Sequence, residues 1–256
     1  MTTAHTPFPA GTFRADPQRA SVPAMVWAQA VIESKLFLRH GEQQLLSVVI
    51  PIALLLGLSK VNVFDLDNPL QLAVPITFAI AALSSGFTGQ AIAVAFDRRY
   101  GALKRIGASG VPAWTIIAGK ICAVVVVTIV QVVLIGGIAV ALGWQSSGIG
   151  SGYAALTLIL GLCVTTSLGM LLGGTLSSEA VLALANLIWF VLIGIAGFAM
   201  LDPDSAGLLN AVPSVALAIG LDRAFTGTFP LAQALILLLW AAAAMWAANR
   251  WFKFHD

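Results

Sequence analysis

A covalent nucleophile could be set up at one string in these 256 residues, Gly107-Ala108-Ser109-Gly110. A serine at the centre of Gly-x-Ser-Gly can cleave peptide bonds only with a general base within hydrogen-bond reach. The three histidines, His5, His40 and His255, all lie outside the apolar segments, and Ser109 stands in a basic loop. The protease reading is therefore set aside. No Gly-x-x-x-x-Gly-Lys-Ser/Thr string is present to cradle a nucleotide phosphate, and no His-Glu-x-x-His pair to hold zinc. Gly148-Ile149-Gly150-Ser151-Gly152 reads as a short flexible loop. Cys122 and Cys163 fall inside apolar runs and read as buried small residues, with no disulfide or metal site. The chain reads as non-enzymatic, with no metal or cofactor of its own.

Ion-coupled chemistry finds equally little material. A transporter driven by protons or ions places carboxylates or histidines at mid-membrane, where they are costly unless they work. No acid lies deep in an apolar segment here. Lys120, about two turns into a long one, is the exception among ionisable groups, and its aliphatic stem suits snorkelling to the nearer interface. The energy for any active transport must come from elsewhere.

The elements that carry these residues are set by composition. Hydrophobic residues make up 59% of the chain and charged ones 9%, with a mean hydropathy of +0.95. So few charges cannot cover a water-facing surface, so lipid faces much of the chain. A net charge of +2 gives no case for nucleic acid as a partner. The pattern predicts an all-α polytopic membrane protein with six spans of about 20 apolar residues each. They cover Leu45–Leu58, Leu72–Phe96, Ala113–Trp144, Tyr153–Leu176, Ala180–Leu201 and Leu231–Phe252. The first is short and contains Pro51. Only Ser177, Ser178 and Glu179 separate the fourth from the fifth, which forces a tight hairpin. Gly169 and Gly173 form a Gly-x-x-x-Gly packing step in the fourth.

Basic residues favour the cytosolic side. Arg98, Arg99, Lys104 and Arg105 follow the second span, Arg14, Arg19, Lys35 and Arg39 precede the first, and Arg250 and Lys253 follow the last. Six spans put all three groups on one side, with both termini in the cytosol. Residues 1–23, with four prolines and no apolar centre, read as a disordered cytosolic tail and not a cleavable signal. Residues 24–256 form one transmembrane domain. Within it, 24–41 reads as an interfacial helix with Trp27, Ala30, Val31, Phe37 and Leu38 on its apolar arc. Segment 202–230 is too long for a turn and apolar at its centre. It reads as short re-entrant helices broken at Pro213 and Gly220.

The densest information lies in 97–112, between the second and third spans: Asp97-Arg98-Arg99-Tyr100-Gly101-Ala102-Leu103-Lys104-Arg105-Ile106, then Gly107 to Pro112, with Gly119-Lys120 beyond. Asp97 can cap a short helix whose apolar edge is Tyr100, Leu103 and Ile106. Such a helix, projecting from the membrane face, suits a groove on a soluble protein.

This segment resembles the cytosolic loop of ABC-2 type exporter permeases, the daunorubicin and multidrug-resistance-like branch among them. Those chains carry a charged pair, a Gly-Thr-Leu or similar, a basic residue, a small-residue-Pro turn and a Gly-Lys opening the third span. Here these are Asp97-Arg98, Gly101-Ala102-Leu103, Lys104-Arg105, Val111-Pro112 and Gly119-Lys120, with Gln131 further along. Asp97 replaces the commoner Glu and Ala102 the commoner Thr. The proline of the family's Gly-x-x-x-Pro after the fifth span comes two residues late, at Pro203.

The resemblance implies a permease that works as a homo- or heterodimer with two copies of a separate ATP-binding subunit, which holds ATP and Mg. It implies that Asp97, Arg98, Arg99, Tyr100, Gly101, Leu103, Lys104 and Arg105 make the contact to that ATPase, with Glu33 and Arg39 as braces. It implies a path between spans two and five, drawing on Thr77, Ser84, Ser85, Thr88 and Gln90 in one and Asn186, Trp189, Phe190 and Phe198 in the other. It implies export, across the cell membrane, of a small amphipathic drug or lipid-like compound from the cytosol or inner leaflet, and hence multidrug efflux or antibiotic resistance. Two other readings stay open: a membrane scaffold or assembly factor, and a gradient-driven secondary transporter.

Overall fold

The computed structural model describes residues 20–39, 41–60, 68–108, 110–203 and 206–253, without the side chains of 37, 38, 41–46 and 113. The tail expected over 1–23 falls outside the described residues up to position 19, as do His40, Ser109 and the terminal His255. The described chain is helical throughout, with no strand.

Helix α1 covers Val22–Arg39, α2 Gly41–Lys60 and α3 Pro69–Ala82. A π-helical turn, Leu83–Thr88, joins α3 to α4, Gly89–Arg99. Then follow α5 (Ala102–Ala108), α6 (Ala113–Ala141), α7 (Gly148–Thr175), α8 (Ser178–Leu201), a 3-10 turn (Gly207–Ala211), α9 (Pro213–Phe225) and α10 (Leu231–Trp251). Among the described residues, five helical stretches are long and apolar enough to cross a membrane: Pro69–Arg99, Trp114–Ala141, Gly148–Thr175, Ser178–Leu201 and Leu231–Trp251. Six were expected. The remaining candidate is α2, 20 residues long, whose apolar stretch Ser47–Lys60 is a shorter helix among the described residues.

Local chemistry explains the boundaries. Asn68 caps α3 by accepting from the Leu70 N–H, and Pro69 takes the first position, where no amide donor is needed. Ser147 and Ser177 cap α7 and α8 in the same way, accepting from Gly150 and Ala180. The expected hairpin between α7 and α8 is therefore made by one capping serine. Gly169 and Gly173 let α7 close on the second span: a Cβ at Gly169 would strike the Phe87 carbonyl oxygen, and one at Gly173 the Ala91 carbonyl oxygen.

Two expectations are corrected, at Gly220 and Cys122. Gly220 does not break the 202–230 segment but lies inside α9, where a Cβ would meet the Thr157 methyl at 2.9 Å. It permits close packing, and α9 is buried from Ser214 to Leu221 against α3, α7, α8 and α10. On α1, Ala30 is buried, Gln29, Val31 and Glu33 are half-buried, and Trp27 is 72% exposed, so residues of both arcs face the chain. The inward placement of the polar ones is explained by what Glu33 pairs with, described next. Cys122 is exposed on α6 and Cys163 is half-buried; the two are not joined.

Candidate functional site: the basic loop and a buried lysine

The second span ends at Arg99, and the chain then turns sharply. Gly101 sits at φ 72°, a left-handed conformation that a residue with a Cβ adopts at a cost. The Tyr100 and Gly101 amides close the end of α4 on the Phe96 and Arg98 carbonyls. The seven residues of α5 follow, and a second left-handed glycine, Gly110 at φ 76°, leads through Val111-Pro112 into α6.

Within α5, Leu103 is buried among Val94, Ile116, Ile117 and Met170. Ile106 packs at the margin of the same cluster. Lys104 and Arg105 are exposed. The helix is thus anchored by one leucine and presents two cations outward. Tyr100 belongs to the turn, not to the edge of α5: it is 70% exposed, and its ring stacks on Phe96 at 5.9 Å.

The other loop residues face into the chain. Asp97 does not cap α5, because α4 runs on through it; its carboxylate lies 3.4 Å from the Lys120 ammonium. Arg98 is 5% exposed and donates to the Gly173 and Leu176 carbonyls, both at 2.9 Å. Those oxygens belong to the end of α7, where carbonyls lack helical partners and a cation is favoured. Arg99 pairs with Glu179 at 2.7 Å and donates to Ser178 at 3.2 Å, half-exposed at the α7–α8 hairpin. Asp97, Arg98 and Arg99 therefore fix the loop to three other spans, α6, α7 and α8.

Lys120 is the centre of the arrangement. It does not snorkel. Its side chain is wholly buried, 2.7 Å from Glu33 of α1 and 3.4 Å from Asp97 of α4. A buried ammonium needs such partners, since unpaired it would cost several kcal/mol. Gln29 donates to Glu33 at 2.8 Å and orients it. Gly119 makes room: a Cβ there would meet the Gln29 side chain at 2.6 Å. One lysine thus joins α1, the second span and α6. Sequence reasoning missed this role because it sought acids within the spans, and Glu33 arrives from outside them. The signal was the Gly119-Lys120 pair beside a polar stripe, Gln29 and Glu33, on α1. Arg39, the other expected brace, is exposed at the end of α1.

The candidate path residues divide. Thr77, Ser85 and Gln90 are buried at 0%, 1% and 2% exposure, and Thr88 is half-buried. Ser84 and Ser85, in the π-helical turn, donate to the Ile80 and Ala81 carbonyls of α3. Trp189 donates to the Ser84 hydroxyl at 3.1 Å and meets Phe190 edge-on at 4.9 Å. Asn186, Phe190 and Phe198 lie along the exposed side of α8, the two rings at 67% and 70% exposure. Gln131 is buried and donates to the Ser47 carbonyl, which ties α6 to α2.

The family model for ABC-2 family transporter proteins matches residues 44–250 of the chain. The chain belongs to the ABC-2 transporter family. The match covers every long apolar helix and the basic loop, and this ABC-2 protein is accordingly a multi-pass membrane protein of the permease kind. Permeases of the family generally work with an ATP-binding subunit. No curated protein matches the chain. In this ABC-2 permease, Tyr100, Lys104 and Arg105 are the loop residues that face outward, and Lys120 fixes their base.

Proposed function

We propose that this chain is the membrane subunit of an ATP-driven exporter whose motor is a separate ATP-binding subunit. ATP and Mg belong to that subunit, present in two copies, and the chain itself catalyses no reaction. In this reading α2 is the first of six spans, α1 lies in the interface, and both termini are cytosolic at the cell membrane. The cargo is a small amphipathic drug or lipid-like compound moved outward.

The observation that carries the reading is the loop. A seven-residue helix with outward Lys104 and Arg105 is held on a rigid base by Leu103, Arg98 and the Lys120 pairs. A contact that transmits motion needs both an accessible polar face and a stiff attachment to the spans. Ligand-driven change also requires that the partner favour one arrangement of helices over another. A loop tied to α1, α6, α7 and α8 can exert that preference.

The stripe of Asn186, Phe190 and Phe198 on α8 supports a second permease subunit as neighbour, homo- or heteromeric. Thr77, Ser85, Thr88 and Gln90, with Ser84 and Trp189, would then lie behind that contact as the polar lining of a path.

The test is purification of the native complex in mild detergent. The ATP-binding subunit is expected to co-purify with the wild-type chain and to be lost from the Lys104→Glu/Arg105→Glu double variant, whose own elution profile is unchanged. Retained association and unchanged ATP hydrolysis in that variant would overturn the coupling assignment.

A further inference from the structure

The buried apolar residues do not form one continuous core. A large cluster holds Val74, Phe78 and Ala82 of α3 together with Leu162 and Val164 of α7 and most of α9. Two smaller clusters lie on the side of the basic loop. One joins Val94, Leu103, Ile116 and Met170, the other Ala91, Ala95, Val181 and Ala185. Where a helix passes from the large cluster to the small ones, it is polar or irregular. In α6 the passage falls at Lys120, and in α7 at Thr165-Thr166-Ser167. In the second span it falls at the π-helical turn, Leu83–Thr88.

That turn is the yielding point of the divide. The Gly89 amide donates to the Ser84 carbonyl, five residues back, where an α-helix bonds four residues back. The turn therefore carries one residue more than α-helical bonding requires. Among the described residues, the other four long apolar stretches are each a single α-helix. Buried polar atoms without hydrogen-bond partners gather at the same level: Oγ1 of Thr88 and Oε1 of Gln90 in the second span, and the hydroxyls of Thr166 and Ser167 in α7. The two helices touch there, since a Cβ at Gly86 would strike the Thr165 hydroxyl. Unpaired polar groups lower the stability of the packing that buries them, and segments that move are drawn from the least stable parts of a fold.

We infer that the π-helical turn is a hinge, at which α4 and the basic loop it carries tilt against α3 and the large cluster. Both sides of the turn are held firmly enough to move whole. Asp97 at Lys120 and Arg98 at the end of α7 fasten α4, while α3 is buried from Ala73 to Ala82. Between them, the Gly86 and Phe87 carbonyls face Gly169 of α7, a backbone contact with no side chain of α7 interlocked in it. Such a hinge needs only a few residues to absorb the change in backbone angles. That the tilt carries motion from the ATPase to the path rests on the exporter reading; the tilt itself does not.

Spin-label distances on the full chain in lipid nanodiscs, without any ATPase, test the hinge. Cys122 and Cys163 are first replaced by alanine. Labels at Tyr100→Cys and Leu208→Cys, both exposed, lie on opposite sides of the turn. Tyr100→Cys with Trp251→Cys stays on the loop side, and Ile149→Cys with Leu208→Cys on the other. The first pair should give a broader distance distribution than either of the others. Deleting Thr88 removes the extra residue, restores α-helical bonding through the span and leaves α3 and α4 on their present faces. The first distribution should then narrow to the width of the others. Equal widths in all three pairs would overturn the hinge, as would a folded deletion variant that keeps the breadth. Should the deletion variant not fold, amide hydrogen exchange of the undeleted chain decides. Residues 83–88 are expected to exchange about tenfold or more faster than 74–82 and 90–96, and equal protection overturns the assignment. If the hinge fails while the ATPase still co-purifies, the exporter reading stands.

Discussion

Lys120 of α6 and Glu33 of α1 lie 2.7 Å apart, with the lysine side chain at 0% exposure. A helix that precedes the long apolar segments is thereby fastened to the interior of one of them. Asp97 approaches the same ammonium from the end of the second span. Any displacement of the loop that moves Asp97 must be met at Lys120, and through it at α1.

Removing the lysine should therefore cost more than removing any exposed charge. Lys120→Met leaves Glu33 and Asp97 without their shared cation, an expected loss of about 3 kcal/mol or more. Unfolding titrations in mixed micelles measure it. A double-mutant cycle with Glu33→Gln should show coupling of at least about 1 kcal/mol. Additive losses would mean that the pair contributes no coupling.

The pair of Arg99 and Glu179, half-exposed at 2.7 Å, makes a useful contrast. Exposed pairs contribute about 0–1 kcal/mol. Arg99→Ala should shift stability within that range, and raised salt should reduce even that.

Arg98 should behave differently from its neighbour. Its guanidinium spans two carbonyls at the end of α7, a reach and fork that lysine lacks. Arg98→Lys is expected to lower thermal stability nearly as far as Arg98→Ala, with a loss of about 1.5–3 kcal/mol. Full stability in Arg98→Lys would show that charge alone is needed there.

The glycines of α7 offer a test of packing. A Cβ at Gly173 would collide with the Ala91 carbonyl oxygen, whereas Gly137 of α6 has nothing within 4 Å of that position. Gly173→Ala is expected to destabilise by about 1–3 kcal/mol. Gly137→Ala should be neutral or stabilising by up to about 1 kcal/mol, through helix propensity. The same micelle titration ranks the two variants.

The all-helical class, the long apolar helices, the α7–α8 hairpin and the family were legible in the sequence, because they depend on local quantities. A run of apolar residues has no other solvent than lipid, a serine between two such runs caps the second, and the Gly-Lys and Arg-Arg spacings are read without knowing where anything folds. Contacts between distant segments were not legible. Arg98 and Arg99 are adjacent and chemically alike, yet one caps α7 from within and the other rests on the hairpin's surface, since successive positions on a helix point about 100° apart and only packing decides which points inward. Gly220 looked like a break and proved to be a site of close approach. Lys120 looked like a snorkelling residue and proved to be the buried link of three helices. In each case the residue type left two uses open, and the decision came from the neighbour that tertiary structure placed within reach: Thr157 for Gly220, the end of α7 for Arg98, and Glu33 for Lys120.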